Sequence, residues 1–543
     1  MADFRKVMIL KMKIRWNSQP VFGKLKTVNY NKLIFIILMA TGIAVRIIGF
    51  GVIPGDINQD EAFAGYEAFS MLHYGVDSAG YRFPVYLTTW GSGMNALNTY
   101  LMMPFMAVFG PQIWVIRIPQ LITSCLTLWV VYLLIKRMYH EKVALFCMFL
   151  LVICPWHIMM SRWGLEANLA PGFMIFGLYF YVRGLDNSKF LMLSSLMYGL
   201  SLYSYATIWI IVPLIVFIEF LYGLYVKKIC IDRYVLFSVL ILGILALPLI
   251  LFFLVNIGMI DEICLPFISI PKLLYMRSDE ISITGVSDIV ERAKNVWHLL
   301  KVQSDNIPLN STEEYGIYYS GTLAFFMLGV YYCIKKSLKT SLKREYTPEF
   351  LLLIQVAGGI LLGLVLVSTN INRNNILFIP VILVAALGVY YLFELINIKE
   401  LIFPVIYYLI MFIGFVHYYF TDYNEMMDYY FCRGIQSAIE EAVSYNGPIN
   451  YSRGIEHSRI LFLAQEPVLD FMDTAEYYLY PSPYLEAKSF CRYNCEFDAT
   501  MPDVDVTYIL SKNVDWAIYE EQGFVVHIYD EFAVAHHPDN KYD

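Results

Sequence analysis

Charge is scarce in this chain. Asp, Glu, Lys and Arg make up 16% of its 543 residues, where soluble proteins carry about 25%. That deficit excludes an ordinary soluble domain, and 58% hydrophobic residues point to a polytopic membrane protein. A basic excess is missing as well. The formal net charge is −7, and no basic stripe with interleaved aromatics occurs, so a nucleic-acid partner is not expected. There is no phosphate-cradling GxxxxGK(S/T) loop, no GxSxG elbow and no HExxH pair; nucleotide hydrolysis and a serine nucleophile are therefore not expected. No chain of Asp, Glu and His runs through the apolar segments, which weighs against ion transport. The nine cysteines mostly sit in apolar runs as small core residues. Cys491 and Cys495 lie near the end of the chain and leave a disulfide open.

Long hydrophobic runs are plentiful. Runs of spanning length fall at about 33–53, 118–137, 143–160, 169–184, 190–206, 208–226, 234–256, 319–335, 350–368, 375–396 and 400–420. The basic 32 residues before the first run lack a short apolar region with a cleavage site, so 33–53 reads as a retained span rather than a signal peptide. A further run, 97–113, is interrupted by Pro104, Gly110 and Pro111. The positive-inside rule decides its role. Arg5, Lys6, Lys11, Lys13, Arg15, Lys24, Lys26 and Lys32 place the N-terminus in the cytoplasm. If 97–113 lies along the outer surface, the clusters around Lys136, Arg183, Lys227, Lys335 and Lys399 all become cytoplasmic. If it spans, all of them move outside. The first arrangement is preferred. It gives about 11 spans, with juxtamembrane helix in the first external loop, 54–117, and a second external loop at 258–318. Three regions follow: a cytoplasmic basic N-terminus (1–32), a membrane domain (33–420) and a small extracytoplasmic α/β domain (421–543). In the last, Tyr508–Ser511, Trp516–Tyr519, Val525–Tyr529 and Ala533–Ala535 read as strands and Tyr430–Tyr445 as helix.

Against this apolar background an acid pair stands out, Asp60 and Glu61, just beyond the first span. After Pro54 and Gly55, apolar residues recur at Ala62, Tyr66 and Phe69 at a helical period. The acids then fall in the first helical turn, where the helix dipole favours negative charge, so a plain helix-start role is one reading. The other is chemical: a carboxylate at the membrane–water boundary can act as general base toward an acceptor hydroxyl. The alternation Asp56-x-Asn58-x-Asp60 lacks the glycine and distal Glu of a Ca²⁺ loop, and no metal or other cofactor is expected. His157 reads as structural.

Four arginines are placed at the same membrane face. Arg46 lies inside the first span, Arg117 precedes the second, Arg162 follows Trp156-His157, and Arg373 sits in an Asn-rich loop. Each taken singly has a bland reading, snorkelling or an ion pair such as Arg162 with Glu166 at i,i+4. Together they suit an anionic group, and the guanidinium fork matches phosphate.

The ordered pieces resemble a known group. Arg46 is followed by Pro54-Gly55-x-x-x-x-Asp60-Glu61-Ala62, then Gly75-Val76-Asp77-x-x-Gly80-x-x-x-Pro84-Val85-Tyr86, then Phe109-Gly110, Val115-Ile116-Arg117-Ile118-Pro119, Pro155-Trp156-His157-x-x-x-Ser161-Arg162, and Asn372-Arg373 before Pro380. Over roughly 33–420 this resembles the GT-C membrane glycosyltransferases, in particular the bacterial relatives of protein O-mannosyltransferases and of lipid A aminoarabinose transferases. The resemblance implies an enzyme of the outer membrane face that moves a monosaccharide from a polyprenyl-phosphate donor to an acceptor hydroxyl, with inversion and without a nucleotide. It implies Asp60 as catalytic base with Glu61 beside it, and Arg46 and Arg117 near the donor; Arg162 and Arg373 join the donor-phosphate set by topology. One departure is Asn58-Gln59 before the acid pair, where the family carries an aromatic or His. The competing class is a lipid-linked saccharide flippase, which would show inverted repeats or paired broken helices; neither is seen.

Overall fold

A computed structural model describes residues 29–276, 286–341, 343–396 and 402–542. The N-terminal basic residues from Arg5 to Lys26, and Lys399, lie outside the described residues. The chain enters α1 (Tyr30–Ile47), capped by Asn29, whose side chain accepts from Lys32 N. A loop leads to α2 (Gln59–Tyr74). The hairpin β1 (Tyr86–Leu87)–β2 (Met94–Asn95) follows, then α3 (Leu97–Phe109). A helical bundle comes next: α4 (Ile118–Met138), α5 (Glu141–Val152), α6 (Ala170–Gly184), α7 (Lys189–Ser201), α8 (Ile211–Tyr225) and α9 (Arg233–Asn256). Beyond the hairpin β3 (Ile263–Leu265)–β4 (Ile268–Ile270) lie α10 (Val286–Val302), α11 (Thr322–Ser341), α12 (Pro348–Val365), α13 (Phe378–Leu395) and α14 (Ile402–Phe420).

Among the described residues seven helices are long and apolar enough to cross a membrane: α1, α4, α8 and α13 each with its preceding turn, α9, α12 and α14. The chain is an integral membrane protein. The other four expected spans are helical but differ in length or polarity. The run 143–160 is broken, because Cys154 is extended before Pro155 and α5 stops at Val152 after 12 residues; proline disfavours helix at the residue before it. Helices α6 and α7 have 15 and 13 residues, and α11 carries lysines in its second half. The interrupted run 97–113 is the short helix α3, with Pro104 inside it and Gly110 at φ 77° closing it.

The C-terminal part begins with α15 (Asp422–Phe431) and α16 (Ile435–Ser444). The single helix expected over Tyr430–Tyr445 is thus two, because Cys432 and Gly434 adopt left-handed φ of 54° and 93°. At Gly434 a Cβ would sit 2.0 Å from the Tyr529 carbonyl, so only glycine fits that approach. Next come β5 (Ile449–Tyr451), α17 (His457–Ala464), α18 (Val468–Thr474), β6 (Glu476–Tyr477), β7 (Ala487–Phe490), β8 (Tyr493–Asn494), β9 (Thr507–Ser511), α19 (Ala517–Glu521), β10 (Val525–Tyr529) and β11 (Phe532–His536). They form one seven-stranded sheet in the order β10-β11-β9-β5-β8-β7-β6, with β5 parallel to β8 and β9 and the other pairs antiparallel. The segment Trp516–Tyr519, expected as a strand, falls instead at α19, because Asp515 Oδ1 accepts from Ala517 N at 3.1 Å and starts a turn. Cys491 and Cys495 are separate free thiols.

The sheet closes a small core of its own around Tyr508, Leu510, Tyr519 and Phe524 and shares a larger one with the first external loop. Ile57, Ala62 and Tyr66 of the first external loop pack in one buried cluster with Ile439, Leu461, Phe462 and Phe471. Helix α17 lies directly on α2, and the contact is tight at Gly65, where a Cβ would stand 2.8 Å from Phe462 and 3.2 Å from Ile116. Gly65→Val is expected to destabilise this joint by about 1–3 kcal/mol, the cost of overpacking. Denaturation in detergent measures it, and a variant as stable as the wild type would contradict the close packing.

Candidate active site

Helix α2 starts with a capping box. Asn58 Oδ1 accepts from Asp60 N at 3.0 Å, and Glu61 Oε2 accepts from Asn58 N at 3.2 Å. Both acids therefore fall in the first turn, where the amide dipoles favour their charged forms. Their surroundings then diverge. Glu61 is fully buried. Arg117 holds it with a two-pronged fork, Nε to Oε1 at 2.8 Å and Nη2 to Oε2 at 2.9 Å, and Gly164 N also donates to Oε1. Asp60 is only half-buried. The oxygens of Glu61, expected with Asp60 in the catalytic pair, are engaged by protein donors, and no solvent reaches it.

The arginines have an unexpected occupation. Arg117 also donates to the Pro54 carbonyl at 2.9 Å and the Asp56 carbonyl at 2.7 Å, so it fastens the loop before α2 to the start of α4. Arg46 donates to the carbonyls of Gly42 (2.8 Å), Val152 (3.3 Å) and Leu151 (3.4 Å) and meets His157 Nδ1 at 2.7 Å. Arg162 donates to the carbonyls of Val45 and Arg46 (both 3.0 Å), Ile48 (2.8 Å) and Ile53 (3.1 Å). All three side chains are 0% exposed. The cause is helix termination. Helices α1 and α5 both end at this level, each leaving its last carbonyls without intrahelical donors; a guanidinium offers five donors to such a cluster. Arg46, Arg117 and Arg162, expected in the donor-phosphate set, thus have their guanidinium groups turned to protein acceptors. Glu166, at i,i+4 from Arg162, accepts from Asn95 N and Nδ2 at 3.1 and 3.2 Å. Arg373 differs. It is half-buried, donates from Nη1 to the Ser368 carbonyl at 3.3 Å, and its backbone N is held by Asn370 Oδ1 at 2.7 Å.

A further cation comes from the far end of the chain. Arg459, on α17, is 4% exposed and donates to the Ile57 carbonyl at 3.0 Å. Burial lowers its pKa, while Cys432, Asp60 and Glu61 oppose that shift by their charge. Its neighbour Ser458 donates to the Gln59 carbonyl at 3.4 Å. The acid-bearing turn is thus clasped by two helices, α4 from the membrane side and α17 from the sheet. The alternation of Asp56 and Asn58 is explained locally: Asp56 Oδ2 accepts from Gln436 N at the start of α16, and Asn58 is the N-cap of α2.

Comparison with known proteins fits this architecture. Residues 97–256 match the family model described as dolichyl-phosphate-mannose-protein mannosyltransferase. The apo crystal structure of ArnT from Cupriavidus metallidurans is similar over 93% of this chain and 98% of its own, at 12% identity and a TM-score of 0.53. The chain shares the fold of ArnT, and its residues 97–256 resemble the protein mannosyltransferases. The undecaprenyl-phosphate-bound form of ArnT gives 11% identity and a TM-score of 0.52 over 92% of this chain and 97% of its own. An oligosaccharyltransferase from Archaeoglobus fulgidus reaches 14% identity and a TM-score of 0.48; this chain spans 63% of its length. No curated protein matches the sequence.

Nearly two turns beyond the acid pair, and in the loop after α2, the chain buries two further carboxylates, Glu67 and Asp77. Glu67 accepts from Ser78 N at 2.8 Å and from its hydroxyl; Asp77 accepts from Tyr81 N at 2.8 Å and Thr88 Oγ1 at 3.1 Å. Burial pushes the Glu67 carboxyl up, and the charge of Asp77 adds to it; burial likewise raises Asp77. The folded protein therefore keeps a proton that the unfolded chain releases in the ordinary carboxylate range. The stability this gives is complete below that range and is lost as pH rises through the raised folded values. Raising the pH from 5 to 9 is expected to cost the wild type about 1–3 kcal/mol, the scale for an uncompensated buried polar group. Glu67→Gln should remove most of that dependence. Equal pH slopes in thermal melts of the two proteins would refute it.

Proposed function

We propose that this protein transfers a monosaccharide from a polyprenyl-phosphate donor to an acceptor hydroxyl at the outer face of the membrane. The observation that carries the reading is the contrast inside the acid pair: Glu61 is locked by Arg117 and Gly164, while Asp60, its neighbour in the same first turn, remains half-buried. The ArnT crystal form with undecaprenyl phosphate supports the donor class, as does the family match over 97–256. In this reading the acceptor O–H gives its proton to Asp60 as its oxygen attacks the anomeric carbon. The bond from that carbon to the phosphate oxygen breaks, and polyprenyl phosphate leaves with the electron pair. One displacement inverts the anomeric centre. No nucleotide or bound cofactor enters, because the donor already carries its leaving group.

The arginines act on the phosphate through their field. Glu61 compensates Arg117, whereas among the described residues Arg46 and Arg162 meet carbonyls, His157, Tyr419 by its ring and hydroxyl, and the ring of Phe420. Two positive charges without carboxylate partners at a low-dielectric rim attract an anionic headgroup and steady the charge that develops on it. Arg373, the half-buried member of the four, is the one assigned to touch the phosphate. The proposed topology has eleven spans, the N-terminus cytoplasmic and the acid pair and C-terminal sheet outside.

The test is purified protein in liposomes with a panel of polyprenyl-phosphate sugars, reading released polyprenyl phosphate. Release that depends on one donor sugar is the expected result. Movement of donor between leaflets with no release would favour the flippase instead.

A further inference from the structure

The outward face of the span α9 does not stop where the helix stops. Helix α9 has 24 residues, about 36 Å at 1.5 Å per residue, against a hydrocarbon core of about 30 Å. Leu240, Ile244, Leu247 and Ile250 are each more than half exposed, as side chains that face lipid are. The helix ends at Asn256, yet Ile257, Met259 and Ile260 continue the run of exposed apolar side chains. They lead into the hairpin β3–β4.

That hairpin is anchored at its base and bare at its tip. Ser269 of β4 is buried, and its carbonyl accepts from Val85 N at 2.9 Å. Ile270 packs with Val85, Phe252 and Val255. The turn that joins the two strands is Pro266-Phe267. Two-residue hairpin turns in water draw Gly, Asn and Asp. Here Phe267 is 85% exposed, with Leu265 beside it at 52%.

Helix α10, further along the same loop, repeats the pattern. Arg292 is buried and donates to the Val365 carbonyl at 2.9 Å. At Gly363 a Cβ would stand 2.4 Å from Val296. Both contacts hold α10 against the end of the span α12. On its free side Val286, Val290, Ala293 and Trp297 are exposed. Their spacing, i, i+4, i+7 and i+11, puts them in one stripe. Lys294 and Lys301 border that stripe, and Glu291, Asn295 and His298 fall on the opposite side, all of them exposed. An apolar stripe with a tryptophan, bordered by lysines and backed by a polar face, is the pattern of a helix that lies in a membrane interface.

We propose that the loop between α9 and α11 is a two-point anchor on the phospholipid surface. The hairpin tip, Leu265 to Phe267, and the stripe of α10 enter the boundary between headgroups and acyl chains, and Lys294 and Lys301 reach up to lipid phosphates. Two observations make the occupant a bilayer instead of a protein. The exposed apolar surface is continuous with the lipid-facing side of α9, and both pieces are fastened to the ends of spans. The anchor goes beyond the proposed transfer reaction and stands whether or not Asp60 is the base.

The test uses the full-length protein in phospholipid nanodiscs free of polyprenyl phosphate. A photoreactive benzophenone amino acid is placed at position 267, at position 297 or, on the polar face of α10, at position 298. Irradiation joins it to neighbouring C–H bonds, and mass spectrometry of the labelled peptide identifies the partner. All three positions are exposed, so the bulky group leaves the packing intact. Phospholipid adducts are expected at 267 and 297, and several-fold fewer at 298. Fluorescence gives a second reading with natural side chains. The emission lost in Trp297→Phe should be quenched by lipids brominated high on the acyl chain and spared by aqueous iodide. The proposal is overturned if 267 and 297 give no more lipid adduct than 298, if they cross-link to a second copy of the chain instead, or if iodide quenches Trp297 and brominated lipid does not.

Discussion

Replacing Asp60 by Asn is expected to slow sugar transfer by about 10²–10⁴-fold, the usual contribution of a general base, with the fold retained. The two halves of this expectation come from different atoms. The cap of α2 uses the backbone N of Asp60, bonded to Asn58 Oδ1, and that bond survives the substitution. The anchoring of the turn uses Glu61, Arg117, Ser458 and Arg459, whose side chains all remain, although Arg459 loses the charge of Asp60. What Asn cannot do is accept the acceptor's proton. Release of polyprenyl phosphate under saturating donor, beside a thermal melt of the same preparation, reads both halves. A fully active Asp60→Asn would remove the base from the mechanism, and a variant that melts early would make the acid structural.

The second large effect is expected at the other acid. Arg117→Met leaves Glu61 as a buried charge without its counter-ion, and such losses cost about 3–5 kcal/mol. The carbonyls of Pro54 and Asp56 lose their donor in the same step. The double variant Arg117→Met/Glu61→Gln removes the uncompensated charge and should recover part of the loss, because the amide oxygen can still accept from one of the two backbone donors, Gly164 N or Asn58 N. Chemical denaturation of the single and double variants measures the coupling. A single Arg117→Met variant as stable as the wild type would mean that the ion pair does not hold the turn. Since Asp60 rides on that turn, activity should fall with stability in these variants, whereas in Asp60→Asn it falls alone.

Much of the scaffold was legible because its signal is local. The apolar runs mark α1, α4, α9, α12 and α14 directly. The start of α2 could be placed because Asp60 and Glu61 are acids of the kind a first turn favours; its cap, Asn58, came only with the structure. The strands β9, β10 and β11 were visible as short apolar pieces between turn residues. Signals that depend on distant partners were not. An arginine that closes a helix end looks the same in sequence as one that waits for a phosphate, because its acceptors are carbonyls with no sequence signature; Arg46 and Arg162 are such cases. Arg459 and Ser458 reach the acid-bearing turn from about 400 positions along the chain, and only the packing of α17 on α2 at Gly65 brings them there. The breaks at Cys154-Pro155 and Cys432–Gly434 were written in proline and glycine, but they were outweighed by the apolar or helical composition around them.

The central claim is that one carboxylate, Asp60, serves the displacement, and that Glu61, clamped by Arg117 and Gly164, takes no covalent part. The anomeric configuration of the product, read by NMR after transfer from a donor of known configuration, tests it most directly. A single displacement assisted by one base predicts inversion. Retention would require a second carboxylate acting as nucleophile and would contradict the account.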